Sequence, residues 1–534
     1  MFLIYNLTQN FFLNTSFNTK HFLYHFRKTK YKKTLSQYDK NKYFCFLGGV
    51  NLGAINGKDY IDRLNSLKNE VWFDGEKVEG LLSEHPAFKG ILQTKASLYD
   101  LQNDPKIVEE MTFTSPSTGN RIGLSYLQPR TKDDLLKRRK MIEHWAKHTG
   151  GIMGRSPDYL NSVLMSFASS ADYLEGKENC FPNNLKALYE LAREKDLSFT
   201  HTFISPQVNR SIIYMEDENK PITARIIEEN EDGIIIKGAR LLATQGGLTD
   251  ELLVFSLSRF FLDEDEAFAF SIPSNTKGLK FICRDSFIGG ESVFDHPLSS
   301  RYEEMDSIVV FDHVLVPWDR IFYYRNVEVA ESFIGQSSFN HFAKHQAITR
   351  QITKTEFILG IAEMLIETIN VGDYYHIQEK VSEIIIGLET MKALLEKAEN
   401  DATLDQWGIL RPNDIPLKVA GNIFPKIYPR FTEIIQLIGA SGMISLPTEK
   451  AFHSPIQADL DLYLQGATKT AEERVKIFRL AWDLTMSSFG TRQIQYERYF
   501  FGDPVRLASD LYSAYPKKNY VNIVSNFLNL KRQN

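Results

Sequence analysis

Cysteine is scarce in this chain: Cys45, Cys180 and Cys283 are the only three in 534 residues. Their spacings match neither a disulfide framework nor a zinc pattern, which fits a reducing cytoplasm. No apolar run reaches the ~18 residues expected of a membrane-spanning helix. Positive charge is not in excess: 62 Lys and Arg against 67 Asp and Glu give a net −5, which points to no polyanionic partner such as nucleic acid. Also missing are a GxGxxG loop after a strand, a P-loop, an HExxH helix, an EF-hand loop and a GxSxG elbow. Those absences remove support for a dinucleotide-binding doubly wound fold, a nucleotide triphosphatase, a zinc protease, a calcium sensor and an α/β-hydrolase. His341 and His345 lie four apart, as metal ligands on a helix could, but no carboxylate stands at useful spacing, so they read as helix-face residues and no metal site is expected. What is present is 43% hydrophobic sequence, long enough to bury a large core in two or three domains.

The first fifty residues differ from the rest. Residues 1–51 hold eight Lys or Arg and one acid, Asp39, leaving −12 for the remainder. They show no helical or strand period, and they lack the basic start and unbroken apolar core of a signal peptide. "LGGVNL" (47–52) can be encoded with a ribosome-binding core followed by a TTG start at Leu52. The expectation is that residues 1–51 are leader and that the native chain begins near Leu52.

Residues 52–197 read mainly as helix. "TKDDLLKRRKMIEHWAKHTG" has Thr131 as its cap, Asp134 three residues on, and Gly150 and Gly151 as its end. From 198 to 326 the texture becomes short, alternating and punctuated by turns. "ITARIIEENEDGIIIKGARLLAT" is two β-branched runs about an Asn-Glu-Asp-Gly turn, so a β domain, sandwich or barrel, is expected. Helical period returns over 327–534: Ile384, Leu388, Met391 and Leu395, then Phe424, Ile427, Phe431, Ile434 and Ile438, suit an antiparallel bundle. The expected class is α+β multidomain.

"GIMGRSPDYLN" (151–161) carries the densest chemistry. Ser156 suits a helix N-cap, Pro157 the first helical position, and Asp158 the first turn. Leu160, Val163, Leu164, Phe167 and Ala171 then form one apolar face. Arg155 and Tyr159 would flank the positive end of that helix. One reading is a well-capped structural helix; the other is an oxyanion or phenolate site. "FTHTFISPQVNRS" (199–211) brings His201 and a donor-rich loop, either a polar connector or the edge of a flat polar cofactor. "GARLLATQGG" ends a strand at Thr244 with two glycines, and "FFGDPVR" (500–506) is a turn whose arginine suits pyrophosphate.

Taken together and in order, "MGRSPDYLN", "THTFISPQVNR", "GARLLAT", "FDHPLSSRYEEMDSIVVFDHVLVPW", "IGASGMISLP" and "YERYFFGDPVR" resemble the oxygenase components of the 4-hydroxyphenylacetate 3-monooxygenase family, two-component flavin-dependent aromatic hydroxylases. The resemblance runs from about Lys58 to the C-terminus. It implies the acyl-CoA dehydrogenase fold (helical domain, β domain, helix bundle), a homotetramer, and a place in aromatic catabolism. Carried over residue by residue, Arg155, Tyr159 and His201 match the catalytic trio, and Ser156, Pro157 and Asp158 lie within the substrate-binding motif. His201, Thr202, Phe203, Gln207, Val208, Asn209, Arg210, Thr244, Asp503, Pro504, Val505 and Arg506 match FAD contacts. "FSLSRF" offers Ser256 or Ser258 for the substrate carboxylate, with Leu257 breaking the family's polar step.

The chemistry so implied uses NADH only through a separate reductase, which supplies FADH2. Oxygen adds to it as a C4a-hydroperoxide, and the phenol is hydroxylated ortho to its hydroxyl to give a catechol. His201 and Tyr159 would hold the phenolic oxygen, and Arg155 would support the peroxide. Three rivals share the scaffold. A 4-hydroxybutyryl-CoA dehydratase needs three cysteines and a histidine for its cluster, and only Cys180 and Cys283 fall in the matched region, with no CxxxC. An acyl-CoA dehydrogenase needs a carboxylate base that the sequence does not place. A non-catalytic flavin protein would lack the Arg, Tyr and His trio.

Overall fold

The computed structural model describes residues 53–208, 221–256 and 262–530. The leader expected over 1–51 lies outside them, as do Asn209, Arg210, Leu257 and Ser258. Residues from Asn51 onward form one compact unit, so the helical, β and bundle regions are not separate bodies.

The N-terminal helices are α1 (Gly57–Leu67), α2 (Lys89–Leu101), α3 (Lys132–His148), α4 (Pro157–Ser169) and α5 (Pro182–Lys195). The capping box of α3 is present in full, Thr131 accepting from Asp134 N–H and the Asp134 side chain reaching back. Gly150 and Gly151 follow at φ 59° and 68°, left-handed values that suit glycine. At Gly151 a Cβ would lie 2.5 Å from the backbone nitrogen of Lys354, so no side chain fits. This region is not purely helical, because its hairpin β1 (Val71–Phe73) and β2 (Glu76–Lys77) joins a sheet edge.

The strands that follow are β3 (Phe199–Thr202), β4 (Arg225–Glu229), β5 (Gly233–Thr244), β6 (Glu251–Phe255), β7 (Phe268–Pro273), β8 (Leu279–Cys283), β9 (Asp306–Pro317) and β10 (Ile321–Tyr324). They make two sheets, in the orders β2-β1-β8-β9-β5-β4 and β10-β7-β6-β3. The hairpin expected from the Asn-Glu-Asp-Gly turn is β4–β5, with Ile226 opposite Ile236. Of the two architectures expected, the sheets are open and packed face to face, a sandwich and not a closed barrel. One hydrophobic core spans both, joining Ile234 and Val309 to Leu252, Phe270 and Ile272. Parallel pairing of β3 with β6 sets His201 beside Leu253, on the edge strand of the four-stranded sheet.

The C-terminal helices include α6 (Phe339–Ile369), α7 (Tyr375–Asn400), α8 (Asp414–Gly439), α9 (Ala471–Thr485) and α10 (Ser488–Tyr499). The spaced residues read from sequence form their seam: Ile384, Met391, Phe424 and Ile434 are fully buried in one cluster. α6 is buried nearly all round in its first half, where polar His345, Gln346, Arg350 and Lys354 face inward. His345 bonds Glu399 at 2.9 Å and His341 bonds the Pro412 carbonyl at 2.9 Å, so both act as helix-face residues. Among the described residues, no three His, Cys, Asp or Glu side chains converge as ligands. Truncating Ile384 to Ala in this seam should lower unfolding stability by about 2–5 kcal/mol, read from the denaturant midpoint at unchanged slope.

Candidate active site

The site is assembled at the start of α4. Ser156 occupies the N-cap position and Pro157 the first turn, as the sequence suggests. The capping chemistry differs from expectation: the Ser156 hydroxyl makes no bond to a helix N–H and donates instead to the Asp158 carboxylate. Asp158 is wholly buried and also accepts from Gln346 Nε2 at 3.0 Å. Burial raises its carboxyl above the ordinary value, with Ser156 and Gln346 bonding the charged form. Asp158 therefore braces α4 against α6. The predicted apolar face is buried, but Ala171 falls beyond the helix, in a following 3-10 turn.

Arg155 is held through its backbone by a residue with no role in the sequence reading. Glu304 accepts from Arg155 N–H at 2.6 Å and Gly154 N–H at 3.0 Å, one carboxylate oxygen for each. Gln245 Nε2 donates to the Arg155 carbonyl at 2.9 Å and to Glu304 at 3.3 Å. Behind them, Arg492 reaches Glu304 at 3.3 Å and Asp306 at 2.8 Å, and Arg284 reaches Asp306 at 3.0 Å. Burial would raise the Asp306 carboxyl, but Arg492 and Arg284 overcome it and hold the group far below the usual range. A second buried group lies below: Arg350 donates to the Gly151 carbonyl at 3.0 Å and pairs with Glu497 at 2.7 Å, and Lys354 meets Glu497 at 2.9 Å. Two ion networks, the first largely buried and the second fully so, thus fix the "GIMGR" segment at both ends.

The Arg155 side chain is treated differently from its backbone. Its guanidinium lies 4.2 Å from the Tyr159 ring centre, 4.4 Å from Phe500 and 5.6 Å from Tyr496. Nε and Nη1 are buried, with no hydrogen-bond partner among the described residues. His201 stacks between Phe203, at 5.1 Å, and Tyr159, at 6.0 Å, and is 7% exposed. Burial first, and the Arg155 charge second, push its imidazole well below 6.5, so at neutral pH it is uncharged. Arg155, Tyr159 and His201, predicted as a trio, therefore meet: a cation without a carboxylate partner, a phenol and a neutral imidazole.

The remaining predicted residues divide. The Thr202 hydroxyl donates to the Leu241 carbonyl at 2.8 Å, and the Thr244 hydroxyl donates to Asp306 at 2.8 Å, joining that strand end to the ion network. Gln207 and Val208 are both exposed on the loop leaving the sandwich. Ser256 is 1% exposed, and its hydroxyl donates to the Glu266 carbonyl in the 3-10 turn before β7. Asp503 caps α11 (Pro504–Ala514), accepting from Val505 and Arg506 N–H at 2.8 and 3.1 Å. Arg506 is exposed there and forms no ion pair with the described residues, which leaves it available to an anion. The sequence reading missed Glu304, Gln245, Asp306, Arg492, Tyr496 and Phe500. The signal was there: "EEMD" places acids at the mouth of a β-branched strand, where buried carboxylates demand cationic partners.

Helices, a two-sheet sandwich and a helix bundle follow in that order, with a buried arginine–histidine–tyrosine cluster between the first two, the arrangement expected of a flavin-dependent aromatic hydroxylase. The chain matches the 4-hydroxyphenylacetate 3-hydroxylase N-terminal model over 56–323 and the C-terminal model over 330–529, and it belongs to that family. It is 65% identical to the probable 4-hydroxyphenylacetate 3-monooxygenase of Bacillus subtilis, over 89% of this chain and 99% of the relative. The oxygenase component of the Thermus thermophilus enzyme is 45% identical, over 89% and 97%. A solved structure of such an oxygenase component, complexed with FAD and 4-hydroxyphenylacetate, is 44% identical and superposes with a TM-score of 0.85, covering 89% of this chain and 98% of that one. An archaeal 4-hydroxybutyryl-CoA dehydratase shares the fold at 19% identity and a TM-score of 0.81. Here the two described thiols do not favour that rival: burial pushes Cys180 up to about 11 and Cys283 up to about 12, away from thiolate character.

The pH dependence follows in sign. Below about 6.5 the unfolded chain takes up a proton on His201 that the folded chain refuses, so stability falls as pH drops through that range. Asp306 contributes stability that is present above about 3.9 and lost as pH falls below it. Denaturant midpoints measured from pH 7 to pH 5 should therefore fall in the natural chain and fall less in His201→Gln.

Proposed function

We propose that this protein is an FADH2-dependent monooxygenase that hydroxylates 4-hydroxyphenylacetate, or a closely related phenol, ortho to its hydroxyl to give a catechol. The observation that carries the reading is the Arg155 guanidinium, buried without a carboxylate partner beside a neutral His201 and the Tyr159 ring. A cation so placed favours negative charge on a phenolic oxygen and on reduced oxygen, the two centres this chemistry must stabilise. Reduced flavin, when bound, supplies the activation of dioxygen. The residues present suit it. The stacked faces of His201 and Phe203 and the Thr202–Thr244 strand ends offer a flat polar edge, and Asp503, Pro504, Val505 and Arg506 offer a helix N-terminus with a free cation for a pyrophosphate.

The geometry supports a division of roles. His201, uncharged, bonds the phenolic oxygen without donating a full positive charge, and the Tyr159 hydroxyl bonds it as well. Arg155 steadies charge on the oxygen that is transferred. Ser156, Pro157 and Asp158 act by holding the α4 start in place. With Ser256 turned to Glu266, Ser258 is the better candidate for the substrate carboxylate. The reductase that supplies FADH2 from NADH is a separate protein, as the "oxygenase component" names of relatives suggest. A cytoplasmic location fits the absence, among the described residues, of any helix long and apolar enough to cross a membrane.

Assembly as a homotetramer is supported by the C-terminal arm. α11 and α12 (Lys518–Phe527) bury no residue, while Val505, Ile523 and Phe527 are 78%, 65% and 85% exposed. Sedimentation should give four copies; a monomer at micromolar concentration would contradict this.

Incubation with a flavin reductase, NADH, FAD and 4-hydroxyphenylacetate should yield a catechol, whereas no product from any of a panel of phenols would overturn the assignment. Arg155→Ala should still bind FADH2 but lose about 10²–10³ in hydroxylation rate and release hydrogen peroxide instead. Unchanged coupling in that variant would remove Arg155 from the mechanism.

A further inference from the structure

α10 and its C-cap carry Arg492, Tyr496 and Phe500 at four-residue spacing, one stripe on one helical face. The Tyr496 and Phe500 rings meet edge to face at 5.5 Å. Phe500 touches two members of the site at once: the Arg155 guanidinium at 4.4 Å and the Tyr159 ring at 5.6 Å with an interplanar angle of 80°. Tyr496 lies over Gly154, where a Cβ would come within 2.3 Å of its ring, so the glycine is what lets the ring in. The same ring separates two guanidinium groups, Arg155 at 5.6 Å and Arg492 at 4.4 Å.

These contacts decide how the Arg155 charge is held. Glu304 binds its backbone only, and no carboxylate among the described residues pairs with its side chain. A carboxylate would fix the guanidinium but cancel its field. Aromatic faces attract a cation while leaving its N–H groups and its charge free for a ligand. Tyr496 is itself kept un-ionised by burial, so it adds no negative charge beside Arg155.

We infer that Tyr496 and Phe500 are positioning residues that seat the Arg155 guanidinium on their ring faces and so set how strongly the site stabilises a bound phenolate. The inference rests on the proposed role of Arg155 and extends it to two residues on the opposite domain. It makes the end of the bundle part of the site: Glu497, one residue beyond Tyr496, is gripped by Arg350 and Lys354, so the stripe cannot drift from α6.

The test reads ionisation of a bound phenol without turnover. The full-length protein is titrated with 4-nitrophenol, without reductant, and the pH midpoint of the bound nitrophenolate is followed by its absorbance. A relative 30% identical to this chain is a 4-nitrophenol 2-monooxygenase oxygenase component, which motivates the probe. The natural protein should lower the midpoint below that of the free phenol, and Arg155→Met should abolish the lowering. Phe500→Met, which conserves volume but removes the π face, and Tyr496→Leu should each raise the bound midpoint by about half a pH unit, a factor of roughly three in phenolate affinity. Tyr496→Phe, which keeps the ring, should stay at the natural midpoint. Thermal unfolding of each variant checks folding, and Phe500→Met decides the matter if Tyr496→Leu does not fold. Natural midpoints in both Phe500→Met and Tyr496→Leu, alongside a raised one in Arg155→Met, would overturn the inference and leave the Arg155 role intact. No lowering in the natural protein, or an unaltered midpoint in Arg155→Met, would overturn the underlying reading and this inference with it.

Discussion

Glu304 is the constraint on which the site depends. Its two carboxylate oxygens take the N–H groups of Gly154 and Arg155, and the same group receives Arg492 and Gln245. A wholly buried carboxylate is tolerable only with its lone pairs satisfied, and removing partners from such a group is strongly destabilising. The segment before α4 is therefore not free to choose its path. It is drawn onto the strand end that leads into β9, and that fixes Arg155 relative to His201 on β3. The sandwich, the first helical region and the bundle meet at this one side chain.

The networks also separate two kinds of arginine. Arg284, Arg350 and Arg492 are paired to carboxylates and serve the scaffold. Arg155 has rings around its guanidinium and no acid, so its charge is left over. A chain that surrounds one cation with aromatic faces, while pairing the arginines behind it with carboxylates, leaves that cation's field for the site. His201 lies within that field, which together with burial keeps it neutral. A neutral imidazole beside a cation suits a site that binds a phenol and must avoid a second competing charge.

Much of this was legible in residue pattern. The switch of period at 198 and 327 marked the change from helix to strand and back, because a half-buried strand and a bundle helix demand different repeats. The cap of α3 was legible at Thr131 and Asp134, since that chemistry is local. The start of α4 was legible in position but not in bonding. Ser156 serves Asp158 instead of the helix, since Asp158 is buried against Gln346 from a helix nearly two hundred residues away. For the same reason Glu304, Tyr496 and Phe500 were invisible as site residues. Each lies about 150 residues or more from Arg155 in sequence, and only packing brings them together. The trio itself came from likeness to a family, while its electrostatic character came from the fold.

The central claim, that a carboxylate fixing a backbone sets up a free cation for catalysis, is tested most directly by Glu304→Gln. An amide offers one acceptor where the carboxylate offers two, and it points an N–H toward the Gly154 or Arg155 N–H. The ratio of hydrogen peroxide to catechol, measured at saturating substrate with a supplied reductase, should rise several-fold in this variant while FADH2 binding persists. A folded Glu304→Gln protein that keeps the natural ratio would contradict the account.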